Sequence, residues 1–445
     1  MRRFVTVWLG QLLSILGSGL SGFALGVWVY QEQGSVTRFG LVMLCVTVPG
    51  IIAAPFAGSL VDRWSRRRVM LCADIAAAVS TSILLVAYLN DALVYGLILA
   101  ASAVTSVAGA FQQPAWLAAA SLLVPKRHLG RANGMTSLST AMSGIISPLV
   151  GGALLVTTNL SVVLVIDLIT FSFALGTLLM VRFPEPDTSD KPPAHPMTLL
   201  REAYEGWRYI RARPGLFGLL LFSMPFSFRL GFIHVLTTPL VLSLTDAATL
   251  GVVLAVGGVG MVAGSVFMIA WGGPERRAYG MLAAGAANGA ALVVACLQPS
   301  VVLFGAASFL FFFSLPIANA CLNTIWQTKV DAGLQGRVFG IKRLIAWLAL
   351  PAGQLLAGPL AENVFEPAMM PGGGLASSVG AWIGVGEGRG MALMFGLLGI
   401  ATLMLISIGV AWPRIRRLDI DLPDVSLADA ARVVDVGASE APVTP

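Results

Sequence analysis

Four ionisable side chains, Asp74, Asp167, Arg229 and His234, lie inside stretches otherwise apolar enough to cross a membrane. A charge in hydrocarbon costs at least about 2.5–3.5 kcal/mol, so each needs a partner, a wet cavity or a task. Asp74 lies near the start of its stretch, close enough to a neighbouring basic segment to pair with it and act as a gate latch. Asp167 lies deeper and is the better proton site: a carboxylate there can be loaded and emptied as a cavity faces either side. An Arg229 brought beside it would make proton, arginine and substrate compete for one acid. Amides buried in apolar helices suggest a pathway lining, for which Gln113, Asn319, Asn323 and Trp326 are the candidates; Gln354 fits a helix-to-helix bond better.

Other chemistries find little support. None of the four lysines follows a glycine, so no phosphate-cradling loop of the Walker type is present. Three scattered histidines and no acid pair offer little for hydrolysis. Cys45, Cys72, Cys296 and Cys321 stand in apolar segments at no metal-ligand spacing, so neither a disulfide nor a metal is expected. No cofactor is implied, and the chain does not read as an enzyme.

The elements that position these residues follow from composition. At 57% hydrophobic and 11% charged residues, the chain is far from soluble proportions of roughly 45–50% and 25%. A span needs about 20 mainly apolar residues. That rule predicts twelve helices, at 5–30, 39–61, 69–89, 92–123, 134–156, 161–181, 215–243, 249–271, 278–298, 300–328, 338–361 and 390–412. The first is read as a retained span, because its apolar run is too long for a signal peptide. Of 28 lysines and arginines, only Arg38 and Arg389 fall in loops on one side and only Arg229 falls mid-helix. All the others fall to the opposite side, which the positive-inside rule makes cytoplasmic, with both termini there. The net charge of +6 therefore reports topology, not nucleic-acid binding.

Residues 183–214 break the apolar pattern with Pro184, Pro186, Pro192, Pro193 and Pro196, then read as an amphipathic helix through Leu200, Tyr204, Trp207 and Ile210 lying at the membrane surface. This linker separates a first group of six helices, 1–182, from a second, 215–412, with a polar cytoplasmic tail at 413–445. Val124, Gly130-Arg131 and Gly134 recur at one constant offset as Val330, Gly336-Arg337 and Gly340, the mark of a repeat. The loop at 362–389 is too glycine-rich for a helix of its own.

Between the second and third spans lies Gly58-x-Leu60-x-Asp62-Arg63-x-Ser65-Arg66-Arg67, read as a surface turn of about six residues. Its arginines cannot be pulled through hydrocarbon and would hold the turn in the cytoplasm, a role that topology alone explains. Asp62 asks for more, since an acid there can meet a neighbouring helix N-terminus or arginine. The segment resembles the loop 2-3 signature of the major facilitator superfamily, with Ser65 where glycine is usual. The resemblance implies an all-α membrane protein of twelve transmembrane helices in two pseudo-symmetric six-helix bundles, alternating between inward-open and outward-open states. Gly58, Asp62, Arg63, Arg66, Arg67 and Asp74 would then form its gating motif.

Gly134 followed by Ser143-Gly144-Ile145-Ile146-Ser147-Pro148-Leu149-Val150-Gly151-Gly152 is similar to the fifth-helix motif of the superfamily's antiporters, with serines at two glycine positions. That likeness points to export, although small-residue packing alone accounts for the glycines. Phe111-Gln112-Gln113-Pro114-Ala115 and the segments 132–134, 325–327 and 336–340 resemble the branch of macrolide-efflux permeases and the enterobactin exporter. The fourth-helix arginine often assigned to proton coupling has no counterpart between Val94 and Gly109.

The expectation is a secondary active exporter of an amphipathic small molecule, a drug, macrolide-like compound or siderophore, exchanged for protons. It would work as a monomer in the cytoplasmic membrane of a bacterium, with membrane lipid around it and no nucleic acid. The alternatives are a lysophospholipid flippase of the same fold and a non-transporting membrane scaffold or receptor.

Overall fold

The computed structural model describes residues 2–125, 128–181, 183, 196–330 and 334–413, and side chains at 58–63 lie outside that set. The chain forms α1 (Arg2–Gln33), α2 (Val36–Arg63), α3 (Arg66–Leu89), α4 (Tyr95–Leu123), α5 (Leu129–Thr157) and α6 (Leu160–Met180). A connecting helix α7 (Pro196–Arg211) leads to α8 (Pro214–Leu242), α9 (Ala247–Trp271), α10 (Arg277–Leu297), α11 (Val301–Lys329) and α12 (Gln335–Leu360). The short helices α13 (Glu366–Met369) and α14 (Gly380–Ile383) precede α15 (Arg389–Ala411). Among the described residues, 12 helices are long and apolar enough to cross a bilayer. In lipid each must satisfy its own backbone, which is why these segments form helices.

The limits agree with the hydropathy reading to within a few residues, with three corrections. Helix α2 runs on to Arg63 and α3 starts at Arg66, so the turn between them is Trp64-Ser65 and not six residues long. Helix α5 begins at Leu129, because Ala132, 1% exposed, packs into the core beside Leu129 and keeps this turn helical. The glycine-rich segment is also no plain loop. After α12 the hydrogen-bond ladder widens into a π-helical turn, Ala361–Phe365, and α13 follows. Met369 and Ile383 are buried in the core, and Glu366 accepts from the backbone N–H groups of Gly388 (3.2 Å) and Met391 (2.9 Å), capping the start of α15. Gly388 turns into that helix with φ +78°.

The helix ends distinguish the two faces of the molecule. The end carrying the α2–α3 turn is the basic end. At the opposite end α6, α9 and α11 each start on a capped residue: Asn159 accepts from Val162 N–H, Asp246 from Thr249 N–H and Ser300 from Leu303 N–H. The Thr249 bond holds the exposed Asp246 carboxyl below its ordinary range.

The two groups of six spans touch along two main seams, α5 with α9 and α2 with α12, and α8 also meets α1 and α2. Both are glycine seams. A Cβ on Gly152 would strike the carbonyl of Ala247, one on Gly251 the carbonyl of Pro148, and one on Gly258 would come 3.0 Å from the carbonyl of Gly144. Across the other seam Gly358 lies against the backbone of Thr37, Thr37 hydroxyl donates to Glu362, and Gln354 Nε2 donates to Thr47 Oγ1 at 3.3 Å. These contacts lie in the half of each helix away from the basic end. One apolar cluster there joins Val27, Val36 and Phe39 of the first group to Phe232, Val235 and Leu236 of the second. At the basic end the described apolar residues form two separate clusters, one around Trp116 and one around Trp326.

Helix α7 turns the later part of its apolar stripe, Trp207 and Ile210, into the second group, while Tyr204 stays exposed. Ile210 is fully buried and Trp207 packs with it in the second group's basic-end cluster, while Glu205 pairs with Arg337 at 2.6 Å. It is a strut fixed to the second group. The rest of the linker, 184–195, and the tail beyond 413 lie outside the described residues.

Candidate functional site

In the first six spans the two acids are buried in separate polar knots. Asp167 on α6 is 1% exposed and accepts from Ser21 Oγ at 2.6 Å, Thr81 Oγ1 at 3.2 Å and Ser18 Oγ at 3.4 Å. Helices α1, α3 and α6 thus converge on one carboxylate, and Thr170 hydroxyl turns back to the Asp167 carbonyl at 2.7 Å. The absence of a cation among these partners matters. The carboxylate is held by hydroxyls, which can accept as well as donate, so the site tolerates either protonation state without losing its contacts.

Asp74 on α3 is fully buried and accepts from Gln112 Nε2 at 2.5 Å and Gln11 Nε2 at 3.1 Å, and the two glutamines bond each other at 2.7 Å. This corrects the expectation that Asp74 latches onto the basic segment: its side chain points into the α1–α3–α4 interface, where amide donors meet it. Arg67, another expected gate residue, donates from Nε to the Leu178 carbonyl (2.8 Å) and from Nη2 to the Leu179 carbonyl (2.7 Å). It satisfies last-turn carbonyls of α6, where a cation suits the helix dipole. Arg66 has Nε and Nη1 buried without a partner. The side chains of Gly58, Asp62 and Arg63 lie outside the described residues, although their backbone continues α2.

The antiporter-like segment of α5 works at two interfaces. Pro148 and Gly152 face α9 across the glycine seam, while Gly151 meets Phe23 of α1. The two serines that stand for glycines bond the α1 backbone, Ser143 Oγ to the Ile15 carbonyl at 3.1 Å and Ser147 Oγ to the Leu16 carbonyl at 3.0 Å. Gly134 is exposed, with nothing within 4 Å of a Cβ placed on it.

The second six spans hold a cavity of about 270 Å³, bounded by α8, α10, α11 and α12. Arg229, Asn288, Asn319, Asn323 and Lys342 bring polar atoms to a wall otherwise rich in leucine and phenylalanine. Arg229 is 4% exposed; it donates from Nη1 to Thr402 Oγ1 at 3.0 Å and from Nη2 to Asn288 Oδ1 at 3.1 Å, between the rings of Phe226 and Phe311 at 5.2 Å each. Arg229 and Asp167 are therefore engaged in different groups of helices, and the expected competition between them has no geometric basis. Instead the two knots are counterparts: first, third and sixth spans converge on an acid in one group and on an arginine in the other.

Asn319 and Asn323 line this cavity. Trp326 is fully buried in the core, with Lys342 Nζ 5.7 Å from its ring centroid, and is not part of the lining. Gln113 is exposed on α4 and stands outside the cavity, whereas its neighbour Gln112 holds Asp74. Gln354 bonds helix to helix. Sequence reasoning missed Lys342, whose Nζ donates to Asn323 Oδ1 at 2.6 Å. It sits early in a span and reads there as a flanking charge. It also missed Ser18, Ser21, Thr81 and Thr402, because hydroxyls are common in apolar helices and carry no signal until their partner is known.

The comparisons agree with this architecture. The sequence model of the Major Facilitator Superfamily matches residues 7–353. Macrolide efflux protein A of Streptococcus pyogenes is 26% identical over 374 residues, 81% of this chain and 90% of the relative. The multidrug efflux pump Tap of Mycolicibacterium fortuitum is 26% identical over 435 residues, 92% of this chain and 98% of the relative. Among solved structures, a bacterial homologue of the human lysosomal transporter Spinster, inward-facing and unoccupied, superposes with a TM-score of 0.69 at 16% identity, covering 96% of this chain and 98% of that one. The nucleoside transporter NupG superposes at 0.66 with 12% identity, covering 92% and 99%. A transporter, not an enzyme, is what this multi-pass chain encodes, and it belongs to the major facilitator superfamily.

Proposed function

We propose that the protein is a secondary active exporter of an amphipathic small molecule, driven by proton antiport through alternating access in a bacterial cell membrane. The names of the efflux relatives support the direction. The observation that carries the reading is the asymmetry of the interface: glycine seams and a shared apolar cluster at the opposite end, separate clusters at the basic end. That is the arrangement of a carrier open toward its basic loops. With those loops and both termini cytoplasmic by the charge rule, this state is inward-open. The units that rock are 1–182 and 215–412, and α7 moves with the second.

Asp167 is the proposed proton carrier. Its three hydroxyl partners come from α1 and α3. Protonation removes a buried charge from the junction of three spans and reverses the direction of one hydroxyl bond while keeping the contacts, which lets the spans shift on one another. Asp74, held by two amides, is the second buried acid and serves to fix α1, α3 and α4.

The test is uptake of a radiolabelled macrolide into inside-out vesicles under an imposed pH gradient. Uptake that collapses with an uncoupler and falls at least tenfold in Asp167→Asn is expected. Gradient-driven uptake unchanged in that variant would remove Asp167 from coupling, and uptake indifferent to any gradient would remove antiport altogether.

A further inference from the structure

A helix start leaves four backbone N–H groups without intrahelical acceptors. In α2 these are satisfied from two different groups of spans. Ser35, just before the helix, takes the Arg38 N–H on its hydroxyl at 3.2 Å and the Phe39 N–H on its carbonyl at 3.1 Å. The other two, on Val36 and Thr37, meet the carboxylate of Glu362, which also accepts from the Thr37 hydroxyl. Glu362 belongs to the π-helical turn that follows α12, in the opposite group. We infer that Glu362 is the latch of the outer gate, a carboxylate of the second group that caps α2 of the first only while this end is closed. The inference rests on the inward-open reading of this state for what the latch does, while the contact itself stands on the geometry.

The local structure aims the carboxylate at its target. Gly358, four residues earlier, lets the two backbones approach so closely that a Cβ there would lie 2.5 Å from Thr37 Cα. Pro359 then removes one N–H from the ladder, Asn363 Nδ2 turns back to the Pro359 carbonyl at 3.0 Å, and the helix widens from Ala361. Widened turns of this kind re-aim side chains and recur at functional sites.

Charge makes this contact unlike the others across the seams. Gln354 and Thr47 bond as neutral groups, and the glycine approaches are backbone contacts. Glu362 brings a negative charge to the positive end of α2, and its bonds there are charge-assisted. The nearby Arg38 is exposed and donates to Gln33 instead, and the nearby Glu366 caps α15 within its own group. Glu362 is thus the acid of this segment that joins the two groups.

The same contact is built to be broken. Thr37 and Glu362 are only half-buried, so when the groups part at this end both meet water and no buried charge is stranded. Helix α2 then keeps Ser35 and loses Glu362. The carboxylate therefore weights the equilibrium toward the state with the basic end open, without locking it there.

The test is double electron–electron resonance in phosphatidylcholine nanodiscs without substrate. Spin labels stand on Asn90→Cys and Gln298→Cys at this end, with the four native cysteines replaced. The population at the longer distance is expected to rise about fivefold in Glu362→Gln, which keeps the side chain's size and removes its charge. Thr37→Val should raise it less, because the backbone N–H groups remain, and Thr37→Ser should match wild type. The double variant Glu362→Gln/Thr37→Val should be no more open than Glu362→Gln, since one contact is lost only once. Arg38→Gln, which changes a neighbouring charge outside the latch, should leave the distribution unchanged. A distribution unaltered in Glu362→Gln, effects that add in the double variant, or an equal shift in Arg38→Gln overturns the proposal. If Glu362→Gln fails to fold, Thr37→Val against Thr37→Ser decides: a shift in the valine variant alone supports the latch, and identical distributions overturn it. Macrolide uptake by inside-out vesicles of the same variants keeps the two readings apart. Uptake without any shift sinks the latch alone, and a shift in protein that takes up no macrolide sinks export alone.

Discussion

Replacing Gly152 by alanine adds one methyl group where the α5–α9 seam brings two backbones together. The new Cβ would fall on the Ala247 carbonyl oxygen, 3.1 Å from Ala248 Cα and 3.2 Å from the Ala247 carbonyl carbon. All three atoms are backbone, so no rotamer change relieves the contact and the helices must part. Overpacking of this kind costs about 1–3 kcal/mol. If the seam closes only in the state described here, the whole cost falls on that state and shifts the equilibrium about 5–150-fold toward the alternative. The readout is labelling of Thr37→Cys by a membrane-impermeant maleimide, with the four native cysteines replaced. Thr37 lies half-buried in the other seam at the opposite end, and its labelling should rise at least fivefold in Gly152→Ala. Gly176→Ala is the control, since a Cβ there meets nothing within 4 Å, and exchanging a helical glycine for alanine should leave labelling unchanged. Equal labelling in wild type and in a folded Gly152→Ala would refute the idea that this seam belongs to one state.

Two further outcomes follow from the polar contacts. Gln112→Leu removes the shorter of the two bonds to the buried Asp74 carboxylate, and losing a hydrogen bond to a charged group costs about 1.5–3 kcal/mol. Thermal unfolding in detergent should therefore begin several degrees earlier, and an unchanged transition would show that Gln11 alone satisfies the acid. Glu205→Gln breaks an ion pair whose side chains are 27% and 37% exposed. Pairs this exposed contribute about 0–1 kcal/mol, so α7 should stay docked through Trp207 and Ile210 with the unfolding transition moved by no more than a degree or two.

The spans and their order were legible because lipid imposes one demand on every segment: long apolar runs with internally satisfied backbones. The tandem glycine-arginine segments betrayed the repeat, and the Ser147-Pro148-x2-Gly151-Gly152 pattern of α5 did mark a close helix contact. What stayed hidden was direction around each helix. Hydrophobicity is nearly uniform around a span, so nothing in the letters says that Asp167 turns toward Ser21 and Thr81 while Arg229 turns toward Asn288 and Thr402. Distance along the chain points Asp74 toward the arginines, yet its partners come from α1 and α4, remote in sequence and adjacent in space. Lys342 was passed over for the converse reason. It stands where flanking charges are common, and only its long side chain, reaching from α12 toward α11, brings it to Asn323. In the glycine-rich segment before α15, Glu366 supplies the order that local propensity lacks.

Alternating access is tested most directly by two spin-label distances measured on one protein. One pair sits at the basic end, on the exposed Trp64 and Tyr279, and the other at the opposite end, on the exposed Asn90 and Gln298. Double electron–electron resonance before and after a saturating macrolide and a pH step should show the first distance fall as the second rises, in equal proportions of molecules. Distances that both stay fixed, or that lengthen together, would contradict a carrier that rocks about a central site.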